Sequence, residues 1–489
     1  MGQSGGKAAA RLAKPSDDDD AAAGEDRLSA LPDDILLLVL LRLDTAAAGR
    51  TSVLSRRWRR LWALLPALSF PFAPSPRLIA SALAAHEAAI LHLFVGTLGA
   101  SPDSVAACLA NAAPRAYGCV VFRNGVPEGN ADDDEEEEEE AGEGGAFELP
   151  CLEHADAVCL DLGLLGLAVP LAGVFARLTE LSLIAVRLHG PCELGDVVSS
   201  PRCPCLQRLV VHCASGLGNL SIHSESLIFL NLDDLYGLRR LTIVAPALKQ
   251  LRLHSCFAQD QRIADILAPE LELLYWRDAY DPSSVQLGKM EQVKKLATNY
   301  FLVFGHHNCR HNRDSLRLLQ RFQAVDYLAM MLVYRRGTDN IEYLMDDITF
   351  LPRTTRLGLM ICNEGHSFGA GVFHVLRLCT GIQSLFLVRQ SNLEASLAQS
   401  SCQSGCICDQ PANWKTEELS LNCLEEVKII DLSGAEHEVA FLKRLFHCAT
   451  VLKKMTITCD RSISESNARE LCQTLSSFSR PETVVEFYM

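Results

Sequence analysis

The residues with the strongest intrinsic chemistry in this chain are thiols and imidazoles. Cys402, Cys406 and Cys408 form a tight C-x3-C-x-C run, and His306, His307, Cys309 and His311 crowd a second short stretch. Thiolate sulfur and neutral imidazole nitrogen are the donors zinc prefers. The one- or two-residue spacing of the second group suits no common structural zinc site, and a polar loop accounts for it. A metal or a disulfide stays open for the first group, but the sequence offers it no clear fourth ligand. The expectation is no bound metal and no cofactor. Glycine-rich phosphate loops and paired metal motifs do not occur. Nothing in the spacing of the acids and histidines forces them together, so the chain is not expected to be an enzyme.

Charge narrows the field further. The net charge of −15 is concentrated in two runs, 17–20 and 132–140. Without them 47 acidic residues stand against 45 basic ones. A nearly neutral body supports neither nucleic-acid binding nor long-range steering. Like charges repel and have nothing to bury, so both runs are expected to be disordered. The second run falls between Cys119-Val120-Val121-Phe122, which reads as a strand, and Phe147-Glu148-Leu149-Pro150. It therefore reads as a solvent loop (129–146) inserted in the first repeat. The first twenty residues lack an apolar core, which predicts no secretory leader. The Ala/Leu-rich stretch 78–98 contains His86, Glu87 and His92 and makes a poor membrane span. The expected compartment is cytoplasm or nucleus, where the 19 cysteines would be thiols.

The elements that must position any functional side chain emerge from the leucines. The pattern L-x-x-L-x-(L/I/V) recurs as Leu178-Leu181-Leu183, Leu206-Leu209-Val211, Leu217-Leu220-Ile222, Leu227-Leu230-Leu232, Leu238-Leu241-Ile243 and Leu248-Leu251-Leu253. It returns as Ile382-Leu385-Leu387, Leu424-Val427-Ile429 and Leu452-Met455-Ile457. Through the central stretch the starts fall about 10 or 11 residues apart, two to a repeat of about 21, within the leucine-rich-repeat range. Period-2 alternation puts Leu251 and Leu253 on one strand face and Gln250 and Arg252 on the other. The half-period predicts strand-like segments on the opposite side of each coil as well. One repeat cannot bury its leucines alone, but stacked repeats can, and they form a curved solenoid. The outward positions Arg208, Asn219, Ser221, Phe229, Asn231, Arg240, Thr242, Gln250 and Arg252 are candidate target-binding residues, although solvated strand faces explain them equally. Residues 289–336 break the pattern with a His- and Arg-rich loop and an amphipathic helix over 314–322 capped by Asp314.

The N-terminal stretch 26–65 has a different logic. Pro32 suits the first turn of a helix, and Asp33 and Asp34 suit its positive end. Ile35, Leu36, Val39, Leu40 and Leu43 then form an apolar stripe at helical period. Leu37, Leu38 and Leu41 make the helix apolar nearly all round, so a module of about forty residues must bury some of it against a partner. An Ala-rich connection, 44–49, leads to a second helix over 51–65. There Val53, Leu54, Trp58, Leu61 and Trp62 interleave with Arg56, Arg57, Arg59 and Arg60, a composition typical of interface cores.

In its order L-P-D-D-I-L, then L-R-L, then R-T-S-V-L-S-R-R-W-R-R-L-W, this stretch resembles the F-box of plant F-box proteins. It departs from them at 44–49, where a Pro and a Lys-Asp pair are more usual. A second resemblance covers the end of the chain. The C-x3-C-x-C run, Pro411 and Trp414 precede Leu424-Glu425-Glu426-Val427-Lys428-Ile429. Glu438-x2-Phe441-Leu442 and Val451-Leu452-Lys453-Lys454-Met455-Thr456-Ile457 follow. This looks like the FBD domain that ends many such proteins. Its content is a strand, a helix over 436–448 with Val439, Leu442, Leu445 and Phe446 on one face, and another strand. Such a unit can cap the open end of a solenoid.

These resemblances imply an α/β chain: a disordered tail (1–24), a helical F-box (25–66), an irregular leucine-rich-repeat solenoid (67–400) and an FBD-type cap (401–489). They imply docking on a Skp-type adaptor through Leu31, Pro32, Ile35, Leu36, Leu40, Leu43, Leu54, Trp58 and Trp62. Through that adaptor the chain would join a cullin–RING ubiquitin ligase and present a target protein, with no nucleic-acid or membrane partner. Two alternatives stand beside this. One is a receptor holding a small molecule near Arg208, Arg240, Lys249 and Arg252. The other is a scaffold or degenerate copy that ubiquitylates nothing.

Overall fold

The computed structural model describes residues 30–72, 75–126, 145–257, 262–306, 309–334, 342–390, 406–409, 412–460 and 463–488. The expected N-terminal tail, both acidic runs, His307 and Cys402 lie outside the described residues. The chain divides into two compact units, Met1–Leu65 and Pro66–Met489.

The first unit is helical: α1 Asp33–Leu40, α2 Thr45–Thr51 and α3 Arg56–Trp62. The expected Ala-rich connection is itself a helix. Asp44 caps it, its Oδ1 accepting from the Ala47 amide at 2.6 Å, and alanines propagate a helix well once it is started. The second helix begins later than expected. Ser55 is its N-cap, accepting from the Trp58 amide at 3.4 Å.

Among the described residues the second unit is built on a main sheet of 17 strands. Every pairing in it is parallel, from Ala67–Phe70 against Ile90–Leu98 at one end to Lys454–Cys459 against Val484–Tyr488 at the other. The motif leucines explain why. Leu209, Leu230, Leu251 and Leu274 stand in register on neighbouring strands, and all are fully buried. Leu206, Leu227, Leu248 and Leu271, the first leucines of the motif, are equally buried in the turns before those strands. Removing each from water contributes about 1.5–3 kcal/mol, available only when the next coil covers it.

The half-period is real. Asn219–His223, Arg240–Val244, Ile263–Leu267 and Val285–Leu287 form a second, four-stranded parallel sheet. Ile222, Ile243 and Ile266 align and are buried. Helices occur instead between other pairs of ladder strands, as with Arg310–Leu319 and Gly369–Leu378.

The described residues of 289–334 do not break the repeat, which corrects the sequence reading. Lys295–Leu302 pairs with Leu273–Arg277 on one side and Ala324–Val333 on the other. A register shift between Ala297 and Tyr300 hides the strand, because one extra residue sends later side chains to the other face. The helix starts at Arg310, so Asp314 is not its cap. It lies within the helix, its side chain 7% exposed between Arg310 and Arg317.

At the C-terminal end the expected strand–helix–strand unit appears as Glu426–Leu432, Glu436–Cys448 and Lys454–Cys459. It extends the ladder, since Glu426–Leu432 pairs directly with Ser384–Arg389. A further helix, Glu465–Ser476, precedes the last strand. Among the described residues no helix is long and apolar enough to cross a membrane.

Candidate functional site

Two surfaces carry the functional case. The first belongs to the helical unit. α1 and α2 both pack on α3, and an ion pair of Asp33 with Arg57 at 2.7 Å reinforces the contact. Arg57 also donates to the Leu31 carbonyl. Leu36 and Leu40 are buried at 0% and 1% exposure, with Leu61 at 1%. The expectation that Leu36 and Leu40 face a partner is thereby corrected: an α1 that packs on α3 turns them inward, where they hold the unit together. Leu31, Trp58 and Trp62 are half-buried, with the Trp62 ring against Gly49 of α2. Pro32, Ile35, Leu43 and Leu54 are exposed. So are Leu38, Val39, Leu41 and Val53, which sequence reasoning left out of the docking set.

Asp44→Ala tests how α2 is built. The cap is worth about 1 kcal/mol. Backbone amides of 45–51 should exchange with deuterium several-fold faster in the variant while those of the ladder hold. Unchanged exchange in α2 would show that the cap is not what starts it.

The second surface is the outer face of the ladder. The candidate residues there fall on two sheets, as the half-period implies. Arg208, Phe229, Asn231, Gln250 and Arg252 lie on the main sheet; Asn219, Ser221, Arg240 and Thr242 lie on the four-stranded sheet. The supposed basic group therefore loses Arg240. Arg208 and Arg252 instead flank the Phe229 ring, their guanidinium carbons 3.9 and 5.6 Å from its centroid.

One row further along the strands, Asp233 sits between two histidines. Its Oδ1 is 2.7 Å from His254 Nδ1, and its Oδ2 is 3.1 Å from His212 Nδ1, off the line of a hydrogen bond. Cys213, Asp234 and Ser255 follow at equivalent places in successive coils, all with left-handed backbone (φ about +50°). This repeated kink re-aims the strand ends.

Sequence reasoning missed an aromatic patch beside these rows. Tyr275, Tyr327, Met360 and Phe386 line a pocket of about 100 Å³. The Arg277 guanidinium lies 4.8 Å from the Tyr275 ring centroid, and Lys428 Nζ lies 5.7 Å from that of Phe386. Burial pushes the Tyr275 and Tyr327 phenols up. Gly358 is the floor: a Cβ there would meet Tyr327 Oη at 2.2 Å. Aromatic, Met and Arg side chains are those enriched at protein interfaces. The only advance signal was their period-2 alternation with the motif leucines.

Comparison with known proteins settles what the helical unit is. The F-box domain family matches residues 28–68, and the FBD family matches residues 418–457. Three Arabidopsis thaliana relatives are similar over longer stretches. A putative F-box/FBD/LRR-repeat protein is 27% identical over 297 residues, 58% of this chain and 57% of its own length. Another is 29% identical over 259 residues, 51% of this chain and 52% of its own length. An F-box/FBD/LRR-repeat protein is 30% identical over 269 residues, 50% of this chain and 57% of its own length.

The chain carries an F-box domain and an FBD, and it is similar to F-box/FBD/LRR-repeat proteins.

The match spans about half the length of these relatives. The F-box match takes in all three N-terminal helices, so the exposed leucines above are F-box leucines. The FBD match takes in Glu426–Leu432, Glu436–Cys448 and most of Lys454–Cys459, so the FBD extends the repeat ladder. Its helix is anchored by Glu438, 1% exposed, whose Oε2 accepts from the amides of Ser433, Gly434 and Ala435.

Proposed function

We propose that this chain is the substrate-recognition subunit of a Skp–cullin–F-box ubiquitin ligase. The F-box docks on a Skp-type adaptor, and the outer ladder face presents a target protein. One observation carries the reading: seven large apolar side chains of the F-box, Ile35, Leu38, Val39, Leu41, Leu43, Val53 and Leu54, remain 39–80% exposed although Leu36, Leu40 and Leu61 already fill its interior. So many exposed apolar groups on one small unit mark a protein-binding surface. The aromatic patch around Tyr327 and the Arg208–Phe229–Arg252 stack are the favoured target contacts on the ladder. The chain itself supplies no chemistry in this reading. It holds a target lysine near the ligase's conjugating subunit, and the gain is effective concentration. The reading places the protein in cytoplasm or nucleus.

Co-expression of the full chain with a Skp-type adaptor and co-purification tests it. The parent chain should retain the adaptor. Leu54→Asp and Leu38→Asp, at sites 69% and 59% exposed, should weaken binding at least about tenfold, ~1.4 kcal/mol, with the melting temperature unchanged. A parent chain that does not hold the adaptor sinks the proposal.

A further inference from the structure

The C-x3-C-x-C run gains a ligand that no local spacing could reveal. His366, some 40 residues earlier, comes up against it. Cys406 Sγ lies 3.5 Å from His366 Nδ1, and donor atoms of His366, Cys406 and Cys408 all lie within 4.8 Å of one another. Around a tetrahedral zinc with bonds of about 2.1 Å to nitrogen and 2.3 Å to sulfur, neighbouring donors stand roughly 3.5 Å apart. We propose that His366, Cys406 and Cys408 form a zinc site that fastens the segment entering the FBD to the repeat ladder.

Three features support a built site. His366 sits in a tight turn after the strand Arg353–Cys362: its amide donates to the Asn363 carbonyl at 2.7 Å, and Glu364 and Gly365 both take left-handed backbone (φ 44° and 86°). Cys406 and Cys408 bracket the start of a single turn of 3-10 helix, Ile407–Asp409, and Cys408 is 3% exposed. Just beyond, Trp414 clamps the same segment onto Gly369–Leu378. Its ring stacks on Phe373 at 5.4 Å and occupies the space a Cβ at Gly369 would need, 2.5 Å away. The donors therefore converge from two pieces of chain some 40 residues apart in sequence.

No disulfide joins any of the described cysteines. Binding converts two thiols to thiolates, releases their two protons to solvent, and leaves His366 neutral with its Nδ1 lone pair on the metal. Two other groupings, His212 with Cys213 and Asp234, and Asp233 with Asp234 and His254, also bring possible donors together. The first offers one thiol and the second none, so both are poorer zinc donor sets than two thiols and an imidazole.

Metal analysis of the full chain, dialysed against buffered zinc, tests the proposal. One zinc per chain is expected. Cobalt in its place should give tetrahedral d–d bands and a thiolate-to-cobalt charge-transfer band of two-thiolate intensity. Cys406→Ser and Cys408→Ser should each lose about half that band, and His366→Asn should shift the d–d bands. Cys423→Ser, exposed and outside the cluster, should keep both. If a variant does not fold, the parent's cobalt spectrum still counts the thiolates. A parent chain with well under one zinc, or an octahedral cobalt spectrum lacking charge transfer, overturns the site.

Discussion

Replacing Arg389 with Met should destabilise the C-terminal coils by about 3–5 kcal/mol, the cost of leaving buried charge without its partner. Arg389 ends the strand Ser384–Arg389, and its side chain is 11% exposed. Its Nη2 pairs with Asp460 at 2.7 Å, its Nε donates to the Asp431 carbonyl at 2.6 Å, and Glu438 Oε1 lies 3.3 Å from the same nitrogen. Because that N–H points at the carbonyl, Oε1 receives charge but no hydrogen bond from it. One guanidinium thus ties three successive coils together. Burial pushes the Glu438 carboxyl above its ordinary value of 4.5, against the pull of Arg389 and the hydrogen bonds of the Ser433–Ala435 turn.

The pH dependence follows in sign. A carboxyl with a raised folded pKa binds more protons folded than unfolded just above 4.5. Stability is fully present below that value and falls as pH rises through the raised one. Arg389→Met removes the main opposing charge, so the loss should extend to higher pH. Glu438→Gln removes the charge, keeps an acceptor for the turn amides, and leaves Arg389 with Asp460. It should cost far less than Arg389→Met and flatten this part of the profile. Thermal melts across pH, with amide exchange over 426–460, provide the measurement. Equal melting of parent and Arg389→Met would refute the argument.

What the sequence disclosed, and what it hid, divides along physical lines. The motif leucines and the half-period were legible because burial on a strand acts through spacing alone, and Leu209, Leu230 and Leu251 obey it. The helix Glu436–Cys448 was legible to the residue because an amphipathic stripe and an acidic first turn coincide. Strand Lys295–Leu302 was hidden by a single register shift that scrambles the alternation. Helix Thr45–Thr51 was hidden because alanines carry no periodicity; only the cap at Asp44 announced it. The patch around Tyr327 and the approach of His366 to Cys406 are facts of stacking. They depend on which coil lies beside which, and no local pattern encodes that.

The same distinction between inward and outward leucines yields the last prediction. Leu36→Ala should unfold the F-box in the free chain, whereas Leu54→Asp should leave it folded and only spoil docking. Leu36 is fully buried and Leu54 is 69% exposed. Truncating a buried leucine costs about 2–5 kcal/mol, and a single core of about forty residues holds no more stability than that. Amide protection over 33–62 should therefore collapse in Leu36→Ala and persist in Leu54→Asp, while the ladder from Pro66 onward keeps its own in both, being a separate compact unit. Binding should separate the two as well. An adaptor that engages only the folded F-box refolds Leu36→Ala at a cost equal to the unfolded fraction, so saturating adaptor recovers the complex. Leu54→Asp places a charge in the contact itself, and its deficit in affinity arises at the interface with the F-box folded. If Leu36→Ala keeps full amide protection, or if Leu54→Asp loses it, the inward and outward assignments of these two leucines are wrong.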